Sequence, residues 1–121
     1  MVSVTIIRGG GCHAAVVYEQ IASKHGTVMI WNDTETVHPV LSCVPRFDSE
    51  INRNILSDFN KVYCYVAVGS GSMRRKLVES AREFFASFKS ISLIFPSVVH
   101  KTAIISPTAR IGQGCFIGPL Q

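Results

Sequence analysis

The sequence contains no Cys-x-x-Cys pair, and no histidine stands at zinc-finger spacing from any of its four cysteines, Cys12, Cys43, Cys64 and Cys115. That excludes the common zinc modules and argues against a disulfide scaffold, so four reduced thiols and no metal are expected. Cys64 falls inside an apolar run and reads as a small hydrophobe. No run approaches the roughly 20 apolar residues that a membrane helix requires. The apolar start ends at Arg8, too early for a secretory h-region. The expectation is a cytoplasmic protein with no membrane partner. Acidic residues are scarce, eight against twelve Lys and Arg, giving a net charge of +4. Much of the excess is local, at Arg74, Arg75 and Lys76. There is no long basic run and no RNA-binding aromatic motif. The charge therefore points to a phosphate ligand and not to nucleic acid.

What is present is a chain that can bury a core, with 47% hydrophobic residues over a length of 121. That suits one small α/β domain. Val2–Ile7 reads as a buried strand, broken by Gly9-Gly10-Gly11. From His13 to His25 the residues Ala14, Val17, Ile21 and Ala22 share one helical face, with Gly26 as a stop. Thr27–Trp31 is a second strand, ending at Asn32-Asp33. Thr34–Phe47 has no clear period and is expected to be a loop with at most a short strand. Asp48 or Ser49 can cap a helix reaching about Asp58, with Ile51, Ile55 and Phe59 on one face. Lys61–Val68 is a third strand, followed by Gly69-Ser70-Gly71-Ser72. Met73, Leu77, Ala81, Phe84, Phe85 and Phe88 then form the apolar face of an amphipathic helix, with Ser72 as its expected N-cap. Ile91–Phe95 is a fourth strand, stopped by Pro96.

Strands alternating with helices predict βαβ units and a small parallel sheet with helices on both faces. Ligands of such sheets bind beyond the carboxyl ends of the strands. Three segments lie there: Gly9–His13, Asn32-Asp33 and Gly69–Ser72. A glycine-rich turn opening a helix lets backbone N–H groups reach a diphosphate at the positive helix end. His13, in the first helical turn, is placed to donate to phosphate or sugar, and Arg74 to meet a phosphate. Arg75 and Lys76 read as solvated, and His25, His38 and His100 as surface residues. Gly9, Gly11 and Ala14 also satisfy G-x-G-x-x-A, a nicotinamide-dinucleotide fingerprint, with Asp33 placed for a ribose hydroxyl. These residues by themselves leave a sugar nucleotide and NAD both open.

After Pro96 the period changes to six. Ile105, Ile111 and Ile117 are spaced by six, Val99 continues the register backwards, and Ala103, Ala109 and Cys115 stand two residues before each Ile. A small-x-aliphatic unit repeated every six residues is a β-helix signature. The expected division is residues 1–96 as the α/β domain and 97–121 as the truncated start of a β-helix.

Taken in order, Gly9-Gly10-Gly11-Cys12-His13, Trp31-Asn32-Asp33, Val68 to Arg74, Leu93 to Ser97 and Ile105 to Gly112 resemble the hexapeptide-repeat sugar acetyltransferases. These are enzymes that modify sialic acid or the 4-amino group of nucleotide-linked sugars. The resemblance covers nearly the whole chain, least clearly from Thr34 to Phe59. It implies a Rossmann-like nucleotide-sugar-binding domain over residues 1–96 leading into a left-handed β-helix over 97–121, and acetyl transfer from acetyl-CoA to a UDP- or dTDP-linked amino sugar. It implies substrate-binding roles for Gly9, Gly10, Gly11, His13, Asn32, Asp33, Gly69, Ser70 and Arg74. It also implies that acetyl-CoA and the general base belong to later coils, so this chain alone is expected to be inactive. Homo-oligomerisation through the β-helix stub is a further expectation. Two departures stand out: Cys12 replaces a glycine before His13, and Phe95 replaces the usual linker histidine.

Overall fold

The computed structural model describes residues 3–22, 27–32, 37–48, 59–68, 71–99 and 116–117. Four strands form one parallel sheet: β1 (Ser3–Arg8), β2 (Val28–Trp31), β3 (Lys61–Val66) and β4 (Ser92–Ile94), in the order β2-β1-β3-β4. Two α-helices are described, α1 (Cys12–Ile21) and α2 (Gly71–Ala86). β1 is central, pairing Thr5 with Val28 on one side and with Tyr63 on the other.

Both faces of the sheet are covered, which explains why the strands read as near-continuous apolar runs and not as alternating ones. Ile7, Val28, Ile30 and Tyr65 point to the α1 side, where they pack with Ala14, Ala15, Val17 and Ile21. Val4, Ile6, Met29, Trp31, Val62 and Cys64 point to the α2 side and meet Ala81 and Phe85. Trp31, Phe84 and Phe85 meet edge-to-face at centroid distances of 5.0 to 6.2 Å, and Phe47 joins them against Trp31 at 5.4 Å. Each such pair contributes about 0.5–1.5 kcal/mol beyond its buried area. Phe95, in the position of the usual linker histidine, is buried in the same cluster with the Arg82 guanidinium 5.4 Å from its ring centroid.

The segment after β2 forms a 3₁₀ turn at Pro39–Leu41, then runs back along the free edge of β2. There the Ile30 N–H donates to the Pro45 carbonyl (2.8 Å) and the Phe47 N–H to the Ile30 carbonyl (2.7 Å). This shields an edge that would otherwise present unpaired groups. Three expectations fall outside the described residues: the helix from Ser49 to Asp58, the helix stop at Gly26, and the repeat positions Ile105 and Ile111. The N-cap assignment of Ser72 is corrected. α2 begins at Gly71, two residues before the Met73 start that a Ser72 cap implies, and places Ser72 in its first turn. Beyond β4, β5 (Val98–Val99) pairs in parallel with β6 (Phe116–Ile117), each residue with the one eighteen positions on.

Candidate functional site

The chain leaves β1 toward β2 on one side and returns through β3 on the other. The strand order therefore reverses between β1 and β3; in open α/β sheets it is the crevice at the strand carboxyl ends of such a switch point that takes the ligand. From β1 the Gly9–Gly11 turn enters α1. Gly9 has φ +139°, and a Cβ there would lie 2.6 Å from the Ala67 carbonyl oxygen. Only glycine allows this turn to pass so close to β3. Its N–H donates to the Trp31 carbonyl at 3.0 Å, and the Ala67 N–H to the Arg8 carbonyl at 3.0 Å. A Cβ on Gly10 would sit 2.6 Å from the Asn32 side-chain nitrogen and 3.0 Å from Val37. At Gly11 a Cβ would meet nothing within 4 Å among the described residues.

Gly11 is also the N-cap of α1, and no side chain caps the helix. No acidic residue stands in the first turn of α1 or of α2. Neither first turn therefore carries a carboxylate of its own, as suits an anion. His13 lies in the first turn of α1 and Arg74 in that of α2. The Arg74 Nη2 donates to the Val68 carbonyl at 3.1 Å, which anchors the side chain over the end of β3. Its Nε is buried without a hydrogen-bond partner among the described residues. Burial, and then the nearby Arg74 charge, hold the His13 imidazole below its ordinary pKa. The two residues, sixty-one positions apart in sequence, are thus brought within electrostatic reach.

Of the residues singled out from sequence, Gly9, Gly10, Gly11, His13, Asn32 and Arg74 gather at the carboxyl ends of β1, β2 and β3. Asp33, Gly69 and Ser70 lie outside the described residues. Arg75 and Lys76 are exposed. Among the described residues no group of His, Cys, Asp and Glu could hold a metal ion, and no helix is long and apolar enough to cross a membrane. Two cavities bounded by described residues lie away from the crevice. One, of about 290 Å³, is lined by residues including Tyr18, Thr27 and Cys43. The other, of about 320 Å³, includes Arg82, Leu93 and Phe95.

Sequence reasoning missed two residues. His38, read as a surface residue, is only half-exposed and ties the next loop to the turn. Its N–H donates to the Gly10 carbonyl at 2.7 Å, and its Nδ1 accepts from the Val40 N–H at 3.2 Å. The Pro39 that follows was its one local signal, since His-Pro starts a turn. Arg8, read only as the end of an apolar run, is buried beneath the turn.

The fold is a small α/β domain: a four-stranded parallel sheet with a helix on each face and a switch point between β1 and β3. The sequence matches no family model and no curated protein. Solved structures do match. Two are histidine variants of perosamine N-acetyltransferase from Caulobacter crescentus, each in complex with CoA and GDP-perosamine. Each is 26% identical, with a TM-score of 0.68 over 98% of this chain and 53% of the relative. The chain thus shares its fold with part of a sugar acetyltransferase and spans about half the length of those relatives.

Proposed function

We propose that this chain is the sugar-nucleotide-binding domain of an acetyl-CoA-dependent sugar acetyltransferase, acting on a nucleoside-diphosphate-linked amino sugar. The observation that carries the reading is the uncapped, glycine-entered start of α1 at the switch point, with Arg74 near enough for its charge to act on His13. Backbone N–H groups of the first turn of α1 receive one phosphate, and His13 and Arg74 flank the diphosphate. Asn32, following β2, takes the ribose side, and Asp33, Gly69 and Ser70 are proposed from sequence as further substrate-binding residues. The GDP-perosamine and CoA bound by the solved relatives support the ligand class and the acyl donor. In this chemistry the sugar amine attacks the thioester carbonyl, a base takes its proton, and CoA leaves as the thiol. The residues described here bind and orient the sugar nucleotide. Acetyl-CoA and the base are assigned to the part of the relatives' length that this chain does not span.

The domain division at residue 96 belongs to the same reading. Pairing of Val98 and Val99 with residues eighteen positions on is what one coil of three hexapeptides requires, and it supports a β-helix start from residue 97. Homo-oligomerisation through the β-helix segment is part of the same proposal.

The G-x-G-x-x-A fingerprint keeps NAD as the competing ligand. A thermal-shift panel of UDP-, dTDP- and GDP-linked sugars against NAD decides between them. A ligand bound only by the native state raises the melting temperature. A rise with a nucleotide sugar and none with NAD is expected; the reverse pattern overturns the proposal.

A further inference from the structure

The central strand ends on a charged residue where its neighbours are apolar. Arg8 is on the α2 side of the sheet and only 4% exposed. Burying a guanidinium is costly unless specific contacts hold it. Two contacts fix it to one residue. The guanidinium carbon stands 4.3 Å from the centroid of the Trp31 ring, and Nη1 donates to the Trp31 carbonyl at 3.2 Å. The same carbonyl accepts the Gly9 N–H at 3.0 Å. The last residue of β1 and the first of the glycine turn therefore converge on the last carbonyl of β2.

The residue after that carbonyl is Asn32, whose amide occupies the space a Cβ on Gly10 would need. The contacts form a chain: Arg8 to Trp31, Trp31 to Asn32 through one peptide bond, and Asn32 to Gly10. An apolar residue at position 8 would fill the space and leave the Gly9 hydrogen bond in place, but it would not fix the plane of the Trp31–Asn32 peptide. We infer that Arg8 is a positioning residue of the nucleotide site, orienting the Trp31–Asn32 peptide so that Asn32 stands against Gly10. Its effect on binding rests on the nucleotide reading above; its effect on Asn32 does not.

The residues that follow β2 serve the nucleoside, while the glycine turn, His13 and Arg74 serve the phosphates. Loss of Arg8 is therefore felt by GDP more than by inorganic pyrophosphate. The test uses the full chain as wild type, Arg8→Met and Arg8→Lys. It measures GDP and pyrophosphate affinity by calorimetry and the Asn32 side-chain amide and Gly10 N–H resonances by NMR. Arg8→Met is expected to weaken GDP about tenfold, the loss of about one charge-assisted hydrogen bond. Pyrophosphate affinity should be unchanged, and the Asn32 and Gly10 resonances should move. Arg8→Lys, which keeps a cation and a donor, should restore part of each. A folded Arg8→Met with wild-type resonances overturns the inference, as does an equal loss for both ligands. If Arg8→Met does not fold, unchanged Asn32 and Gly10 resonances in Arg8→Lys, which lacks the planar stack, overturn it. If the wild type binds neither ligand, the nucleotide reading fails, and the resonances alone decide the positioning role.

Discussion

Gly9→Ala separates the role of the glycine turn in folding from its role in binding. At Gly9 two penalties coincide. A φ of +139° is a conformation that residues with a Cβ rarely adopt, and holding one there costs about 1–3 kcal/mol. The new Cβ would also stand 2.6 Å from the Ala67 carbonyl oxygen. Ala67 cannot yield freely, because its N–H is bonded to the Arg8 carbonyl. Overpacking of this kind costs about 1–3 kcal/mol more. The sum is about 2–6 kcal/mol, and for a domain of this size each kcal/mol lowers the melting temperature by about 4 °C. Gly9→Ala should therefore melt roughly 8–24 °C below the wild type. Gly11→Ala is the control. Its Cβ meets nothing within 4 Å among the described residues, and alanine at an N-cap costs at most about 1 kcal/mol. It should melt within about 4 °C of the wild type yet bind nucleotide less well, since the methyl is added to the turn that receives the phosphate. Circular-dichroism melts of the two variants make the comparison. A Gly9→Ala protein as stable as Gly11→Ala would refute the reasoning.

Three other outcomes follow from the site and the core. His13 should titrate below its model-peptide value of about 6.5, and Arg74→Ala should raise its midpoint in a histidine NMR titration. Because the folded-state pKa is the lower one, the unfolded chain takes up a proton first as pH falls. The His13 contribution to stability is thus present above about pH 6.5 and lost as pH falls through the folded value; a His13 midpoint above 6.5 would contradict this. Arg74→Ala should weaken nucleotide diphosphate binding by about 1–3 kcal/mol, and unchanged affinity in calorimetry would remove Arg74 from the site. Burial pushes the Cys64 thiol up to about 12, against the opposing pull of Arg8, whereas Cys12 and Cys43 are exposed. In a maleimide time course read by peptide mapping, Cys64 should label only on unfolding. Labelling of Cys64 as fast as Cys43 would show that the core opens.

The four strands and two helices were legible because parallel strands covered on both faces must be apolar throughout, and because Leu77, Ala81 and Phe85 repeat at helical spacing. The turn of Gly9–Gly11 was legible for the same local reason: three glycines end a strand and open a helix. Features set by distant contacts were not. Nothing near His38 announces that its N–H will meet Gly10, because the pairing depends on how the chain after β2 folds back over the turn. Arg8 looked like a strand terminator because charge usually marks the surface. Its burial depends on Trp31, twenty-three residues away, offering both a ring and a carbonyl. Ser72 suits a cap by residue type, yet the helix starts at Gly71, two residues sooner than that cap implies, and helix ends shift by a residue or two with contacts beyond the local sequence. The nearness of His13 to Arg74 could be expected only once the strand order was assumed.

The central claim is that a nucleoside diphosphate sugar binds where β1 and β3 end. The most direct measurement is an amide chemical-shift map of the isotopically labelled chain titrated with GDP- and UDP-linked sugars. The account predicts saturable shifts at Gly10, Gly11, His13 and Ala14, with the Arg74 side-chain N–H moving in step. Saturable binding that instead shifts residues around Tyr18, Thr27 and Cys43, or no saturable shift with either sugar nucleotide, would contradict it.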